Sequence, residues 1–320
     1  MAFCSCQTKA KETTEVRCAF SADSAYTYIA QQVAFGPRVP GSPAHQQCGD
    51  WLTYQLARHG AQVRSQEGVM TNYTGQPQAI RNIVGFWQGS LPHTILLCAH
   101  WDSRPWTDNE PEYENRFSPV IGANDGASGV GVILEIIRQM QIQKIQGKDL
   151  PSLQIVFFDC EDMGAPTHYT GKQIKDDWCL GSQLWAKEYA SAISQSSNTQ
   201  PKCRFGILLD MVGDPSATFP REYFSLLYAE PYVRHIWQIA TSLGYARYFQ
   251  QQTTYYPITD DHYYVSTIAG VPCVDIIDYK PNTDSGFAEW WHTSHDDMRN
   301  INKQTLRAVG ETVITTICSK

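Results

Sequence analysis

Four residues that can bind a metal or move protons each follow an apolar run of the chain within a few positions. They are His100, Glu161, Asp162 and Asp210. Continuous apolar runs of this kind are typical of strands that are buried on both faces of a sheet. Because the carboxyl ends of parallel strands face the crevice where α/β proteins place their ligands, we expect these four side chains to converge there.

Two further candidates come from other parts of the chain. Asp125 lies in a glycine-rich turn that precedes a helical pattern, and His292 lies in an aromatic segment near the C-terminus. Imidazole and carboxylate ligands without a thiolate fit zinc or a related divalent ion. A cation would also offset the mutual repulsion of so many carboxylates. The sequence therefore predicts a zinc enzyme. Its candidate ligands are His100, Asp125, Asp162, Asp210 and His292, with Glu161 beside the metal as a proton shuttle.

Each of these residues, taken singly, has a simpler interpretation. Asp125 could cap the helix that follows it, and His292 could be an ordinary surface histidine. The joint occurrence of imidazole and carboxylate groups at successive strand ends favours a functional site. Asp102 lies two residues after His100 on an extended segment. We therefore expect it to contact that imidazole without touching the metal and to orient the ring.

The composition excludes several other classes of protein. The chain has 320 residues and a formal net charge of −7, and it contains no run of lysine or arginine, so we expect no nucleic-acid binding. No apolar stretch reaches the length of a membrane span, so no transmembrane segment is predicted. The ten cysteines show no CxxC pair, which argues against a structural zinc knuckle or a disulfide scaffold.

Strand and helix patterns alternate along the chain. This alternation predicts an α/β fold with an open, mostly parallel twisted central sheet and helices on both faces, in a single catalytic domain over residues 21–320. Two long polar loops, 101–121 and 161–180, are typical of functional segments. Predicted strands cover 61–70, 79–88, 94–98, 153–158, 205–209 and 271–277, and predicted helices cover 23–33, 44–59, 129–140, 181–192, 231–243 and 302–318.

Residues 1–20 are predicted to form a flexible N-terminal tail. The segment from Phe3 to Cys6 resembles the end of a bacterial lipoprotein signal, with Cys6 as the lipidated residue. The alternative is a polar tail with two chance cysteines. The first interpretation predicts a protein of the bacterial cell envelope, either periplasmic or lipid-anchored.

The candidate residues also carry a resemblance to a known family. From about Phe35 to Ile301 the chain resembles the M28 zinc aminopeptidase superfamily, and within it the glutaminyl cyclases. The matching segments keep their order along the chain and are His100-Trp-Asp102-Ser, Gly122-Ala-Asn-Asp125-Gly, Phe157-Phe-Asp-Cys-Glu161-Asp, Leu208-Leu-Asp210-Met-Val-Gly, Asp260-Asp-His262 and Phe287-Ala-Glu-Trp-Trp291-His292-Thr.

The resemblance implies a division of roles among these residues. A single zinc ion per chain would be held by Asp125, Asp162 and His292. Glu161 would be the general acid and base. Asp210 would bind no metal but would hydrogen-bond towards Glu161 and Asp260.

The resemblance also implies a substrate pocket. Asp260 would stabilise the substrate amide, Trp291 and Phe287 would wall the pocket, and His100 would lie near the metal without binding it. Trp178 is the candidate for a pocket tryptophan that cannot be aligned directly. Two departures from the animal enzymes are Asp162, where those enzymes carry glutamate, and Ala99, which removes a disulfide that some cyclases have at that point.

The implied activity is cyclisation of the N-terminal glutamine of peptides or proteins to pyroglutamate, with release of ammonia. A two-zinc aminopeptidase remains an alternative, because all five ligands that it needs are present. The Asp260 segment and the tryptophans before His292 argue against it. A non-catalytic binding protein on the same fold is a third interpretation, although a pure binder has no need of Glu161.

Overall fold

The computed structural model describes residues 19–172, 174–195, 202–254 and 256–319. The tail predicted for residues 1–20, with Cys6, lies outside the described residues except for its last two positions. Within the described ranges, no helix is both long enough and apolar enough to cross a membrane. The domain bounds of 21–320 and the lipid anchor stay predictions.

A six-stranded sheet forms the centre of the fold, with the strand order β1-β2-β4-β3-β5-β8. Strands β4, β3, β5 and β8 run parallel, and the hairpin of β1 and β2 joins β4 in antiparallel fashion at one edge. The α/β fold with a mostly parallel sheet is therefore confirmed. The strands are β1 (Gln62–Thr71), β2 (Pro77–Trp87), β3 (Thr94–His100), β4 (Ser152–Phe158), β5 (Cys203–Asp210), β6 (Phe219–Arg221), β7 (Phe249–Thr253) and β8 (Cys273–Ile277).

Helices cover both faces of this sheet, as alternate side chains of β3 show. Ile95 and Leu97 belong to a large apolar core that includes Val130 of α3, whereas Leu96 and Cys98 pack with Trp185 of α4 on the other face. Every residue of β3 and of β4 is buried, which explains their unbroken apolar runs. The helices are α1 (Ala22–Val33), α2 (Pro43–Arg58), α3 (Ala127–Ile145), α4 (Leu180–Ser194), α5 (Tyr223–Ser242), α6 (Asp261–Thr267) and α7 (Lys303–Cys318).

The helix predicted over 231–243 differs most from the sequence-based expectation. Helix α5 begins at Tyr223, eight residues earlier, and runs through Pro231. Its backbone leaves helical geometry at Ala229, where φ is −136°. Proline lacks an amide hydrogen and crowds the preceding turn, so it can end a helix or kink one. Here the helix continues across the kink, and the prediction that it begins at Pro231 was wrong.

Candidate active site

The carboxyl edge of the sheet brings the candidate residues together. His100 is the last residue of β3, and Asp210 is the last residue of β5. Glu161 and Asp162 lie in the turn that follows β4, while Asp125 lies just before α3. His292 reaches the same point from the long segment after β8. Five of the six residues named from the sequence form two groups that share Asp125, and Glu161 lines the same cavity as four of them.

Three of these residues form a set that fits a metal ion. The side chains of Asp125, Asp162 and His292 each offer a ligand atom, and these atoms lie within 4.8 Å of one another. His292 Nε2 lies 3.1 Å from Asp162 Oδ1 and 3.4 Å from Asp125 Oδ2. Asp162 Oδ2 is buried and has no hydrogen-bond partner among the described residues. One imidazole and two carboxylates, with an unpaired buried oxygen, suit a zinc ion.

A second set shares Asp125 and contains His100 and Asp210. Here the contacts are shorter, since His100 Nε2 lies 2.9 Å from Asp125 Oδ1 and 3.1 Å from Asp210 Oδ1. Two ligands of a tetrahedral zinc, each about 2.0–2.1 Å from the ion, lie about 3.3 Å apart. The first set matches that spacing more closely. In the second set, an N–H group of the imidazole can donate directly to the two carboxylates.

Asp102 supports both the imidazole and the turn after β4. Its Oδ1 lies 3.5 Å from His100 Nδ1, in line with the predicted orienting role. The same carboxylate also accepts hydrogen bonds from the backbone N–H groups of Glu161 and Asp162, each at 3.2 Å. One fully buried side chain therefore holds the backbone that carries the acid/base candidate and lies against the ring of His100.

Arg104 and Asp108 are parts of the site that sequence reasoning missed. The Arg104 guanidinium donates two hydrogen bonds of 2.7 Å to the Asp108 carboxylate and a third, of 3.1 Å, to the carbonyl of Asp162. Asp108 Oδ1 in turn lies 3.6 Å from His292 Nδ1. Both residues come from the 101–121 loop, whose length was the only sequence signal for a function.

The turn that carries Asp125 is held by two other residues that were not predicted. The buried carboxylate of Asp296 accepts hydrogen bonds from the backbone N–H groups of Asn124 and Asp125. The fully buried Arg38 donates to the carbonyl of Gly122 at 2.6 Å. Asp296 follows His292 closely in the sequence, which is the one signal that could have found it.

Gly126 allows Asp125 to lie close to His100. A Cβ atom at position 126 would lie 2.5 Å from the carbonyl oxygen of His100, which is closer than real Cβ contacts come. Any larger residue would push the turn away from β3 and separate Asp125 from the imidazole. The glycine-rich sequence therefore sets the distance between two of the candidate residues.

Burial changes the acidity of the carboxylates at this edge. Desolvation raises the pKa of Glu161 well above its ordinary value; the positive charge of His100 opposes the shift, and the carboxylates of Asp260 and Asp162 add to it. Burial likewise raises the pKa of Asp210 to about 7, against a hydrogen bond from His100. Asp210 was predicted to hydrogen-bond towards Glu161 and Asp260, but its hydrogen bond in the structure is with His100.

A cavity of about 460 Å³ opens next to these residues, at the carboxyl edge of the sheet. Nine residues named from the sequence line it, namely Asp125, Glu161, Asp162, Trp178, Asp210, Asp260, Phe287, Trp291 and His292. The imidazole of His292 stacks against the ring of Trp291 with centroids 3.6 Å apart. His100 is not part of this wall, because it is only 1% exposed and lies against Asp125 and Asp210.

Strained backbone is concentrated around the same cavity. Cys160, Cys179, Met211 and His292 all have φ between 50° and 57°, a left-handed conformation that residues other than glycine rarely adopt. Each such residue costs about 1–3 kcal/mol, and strain of this kind clusters at active sites. All four lie in the site segments or next to them, which is consistent with a rigid arrangement held for chemistry.

Comparison with known proteins gives the same family by independent means. The model of peptidase family M28 matches residues 82–317. The crystal structure of Tannerella forsythia glutaminyl cyclase is 47% identical, with a TM-score of 0.87 over 94% of this chain and 99% of that chain. A structure described as a leucine aminopeptidase precursor from Bacteroides thetaiotaomicron is 40% identical, with a TM-score of 0.85 over 94% of this chain and 98% of that chain.

A curated relative extends the similarity to animals. The glutaminyl-peptide cyclotransferase of Bos taurus is 25% identical over 287 residues, which is 84% of this chain and 74% of that protein. The family model alone covers well over half of the chain. The chain therefore belongs to peptidase family M28, and over most of its length it is similar to bacterial glutaminyl cyclases.

Proposed function

We propose that this protein is a zinc-dependent glutaminyl-peptide cyclotransferase, which converts the N-terminal glutamine of peptides or proteins to pyroglutamate and releases ammonia. The observation that carries the proposal is the cavity itself. Its lining combines Glu161 with the proposed metal ligands Asp125, Asp162 and His292. In addition, this chain is 47% identical to a glutaminyl cyclase of known structure.

The proposed cofactor is one zinc ion per chain, held by Asp125, Asp162 and His292. The spacing of their ligand atoms and the unpaired Oδ2 of Asp162 support this assignment. A zinc ion at this position would supply a Lewis acid that polarises the γ-carbonyl of the substrate glutamine. His100 and Asp210 are proposed to lie next to the metal site without binding the ion, since His100 Nε2 contacts Asp210 Oδ1 directly at 3.1 Å.

Glu161 is proposed to move the proton. In the substrate, the neutral α-amine attacks the γ-carbonyl carbon of the same residue, so a C–N bond forms and the bond to the side-chain amide nitrogen breaks. Glu161 takes a proton from the amine and delivers it to the departing nitrogen, which leaves as ammonia. The burial that raises the pKa of this carboxyl makes it a stronger base than an exposed glutamate.

The reaction joins two groups of one residue, so positioning supplies much of the lowering of the barrier. Trp178, Phe287 and Trp291 are proposed to hold the glutamine side chain and to exclude water. The Asp260 carboxylate lines the same cavity, and its Oδ2 is buried with no hydrogen-bond partner among the described residues. The Asp260 side chain is proposed to accept a hydrogen bond from the substrate amide.

The two-zinc aminopeptidase is the second candidate function, because Asp125 is shared by two potential metal sets. The short contacts of His100 with Asp125 and Asp210 favour a proton over a second ion in that set. The aromatic walls favour exclusion of the water that peptide hydrolysis requires. Together with the similarity to glutaminyl cyclases, these observations favour cyclisation.

Two matched peptides that differ only in their first residue, glutamine or leucine, test this function. The zinc-loaded protein is expected to release one ammonia from each glutamine-initiated peptide and to leave the peptide bond after leucine intact. Mass spectrometry of both peptides after incubation measures the two outcomes together. Cleavage of the leucine peptide without ammonia release from the other would favour the aminopeptidase instead.

A further inference from the structure

We propose that Cys179 is a positioning residue for Glu161, and that its thiol donates a hydrogen bond to one carboxylate oxygen and leaves the other to handle the proton. Sγ of Cys179 lies 3.1 Å from Oε1 of Glu161. This inference rests on the proposed function, because it concerns the residue that would act as acid and base in the cyclisation.

Backbone contacts fix the thiol relative to the carboxylate. The N–H group of Cys179 donates to the carbonyl of Glu161 at 2.9 Å, and the N–H group of Leu180 donates to the carbonyl of Cys160 at 3.1 Å. The first turn of α4 is therefore joined to the turn after β4 by two backbone hydrogen bonds as well as by the thiol. Rotation of the Glu161 side chain away from the thiol would break the third contact alone.

The conformation of Cys179 directs its side chain towards this contact. The residue occupies the N-cap position of α4, but it has left-handed φ and ψ values of 55° and 37° and its side chain does not cap the helix. The segment before it is held by Gln183, whose side-chain amide donates to the carbonyls of Asp176 and Trp178. A strained residue that gives up the usual capping contact, next to the acid/base candidate, indicates a constraint on the site.

The thiol is suited to be a donor rather than a nucleophile. Cys179 is fully buried. Burial raises the pKa of its thiol well above the ordinary value, and the neighbouring carboxylates of Glu161, Asp261 and Asp260 raise it further. The group therefore keeps its proton, and a thiolate that could attack a substrate does not form.

Occupation of one oxygen has a chemical consequence for the other. Among the described residues, Oε1 is the oxygen of Glu161 that accepts a hydrogen bond from a side chain. Oε2 is then the oxygen left to take the proton from the amine. Because S–H is a weak donor, it can orient the carboxylate without strongly lowering its basicity.

Substitution of Cys179 tests this inference through the separation of kcat from KM. Cys179→Ala removes the donor and leaves a gap the size of one sulfur atom, and we expect kcat for a glutamine-initiated peptide to fall roughly 10-fold, about the effect of losing one hydrogen bond of ordinary strength. KM and zinc content should stay close to those of the wild type. Cys179→Ser keeps a donor at this position and is expected to recover most of the lost kcat.

Cys273 offers a control at another buried cysteine. It begins β8, at the end of the strand opposite to the carboxyl edge, and is fully buried in the apolar core. Cys273→Ala should therefore keep a kcat near that of the wild type. An equal loss in both alanine variants, or a serine variant no better than Cys179→Ala, would overturn the positioning role.

An infrared measurement tests the contact without any requirement for activity. The S–H stretching band that is lost in Cys179→Ser should shift in Glu161→Gln, because the acceptor changes from a carboxylate to an amide. An unshifted band would contradict the hydrogen bond. An active wild type with an unimpaired Cys179→Ala overturns this inference alone, whereas a wild type that releases no ammonia overturns the proposed function and this inference with it.

Discussion

Glu161→Gln is expected to lower kcat for a glutamine-initiated peptide by roughly 100- to 10,000-fold, the usual contribution of a positioned acid/base group. The amide is nearly the same size as the carboxylate, but it cannot accept a proton from the amine. Zinc content should remain at the wild-type value, because Asp125, Asp162 and His292 are unchanged. Steady-state release of ammonia together with elemental analysis measures both quantities.

Glu188→Gln is the matched control for this variant. Glu188 lies on α4 and forms a half-exposed ion pair with Arg64, so the same chemical change should leave kcat unaltered. If Glu161→Gln retained wild-type kcat while it carried its zinc, the role assigned to Glu161 would be wrong. A variant that loses zinc as well would instead indicate that Glu161 is a ligand.

The second large effect is expected from His292 and not from His100. Glutamine is a poor zinc ligand, but its amide can donate a hydrogen bond, so the same substitution separates a ligand from a donor. His292→Gln should lose the ion, and its kcat should fall roughly 1,000-fold or more with the loss of the Lewis acid. His100→Gln should keep one zinc per chain, because its amide can still donate to Asp125 or Asp210.

Zinc per chain in the wild type and in both variants checks this prediction directly. One ion in the wild type and in His100→Gln, and none in His292→Gln, fits the proposed ligand set. Two ions in the wild type and one in His100→Gln would place a metal between His100, Asp125 and Asp210. That result would support the aminopeptidase arrangement.

The part of the site that sequence reasoning found is the part that strand geometry determines. His100, Asp162 and Asp210 follow buried apolar runs, and parallel pairing of β4, β3 and β5 forces the ends of those runs to one edge. Asp125 was found because a glycine-rich turn before a helix has a recognisable pattern. The contact between His100 and Asp210 was not foreseen, because distances between side chains depend on packing that periodicity does not encode.

The supporting residues were harder to find because they come from irregular segments. Arg104 and Asp108 lie in a loop whose path is fixed by tertiary hydrogen bonds rather than by local preference. Trp178 was proposed only because the resemblance implies a pocket tryptophan, which could not be aligned with this segment. It nevertheless lines the cavity, with its ring parallel to the imidazole of His292. Cys179 carried no signal beyond its residue type, since its contact with Glu161 depends on a left-handed backbone.

The most direct test of glutamine cyclisation is the fate of solvent oxygen in the product. Cyclisation forms the new bond within the peptide, so a glutamine-initiated peptide converted in water enriched in heavy oxygen should lose one ammonia and gain no solvent oxygen. Hydrolysis of the side-chain amide, or of the peptide bond after the first residue, must incorporate one. Mass spectrometry of the product distinguishes these outcomes in a single sample. A product free of heavy oxygen is the predicted result, and a product that carries it would contradict the proposed reaction.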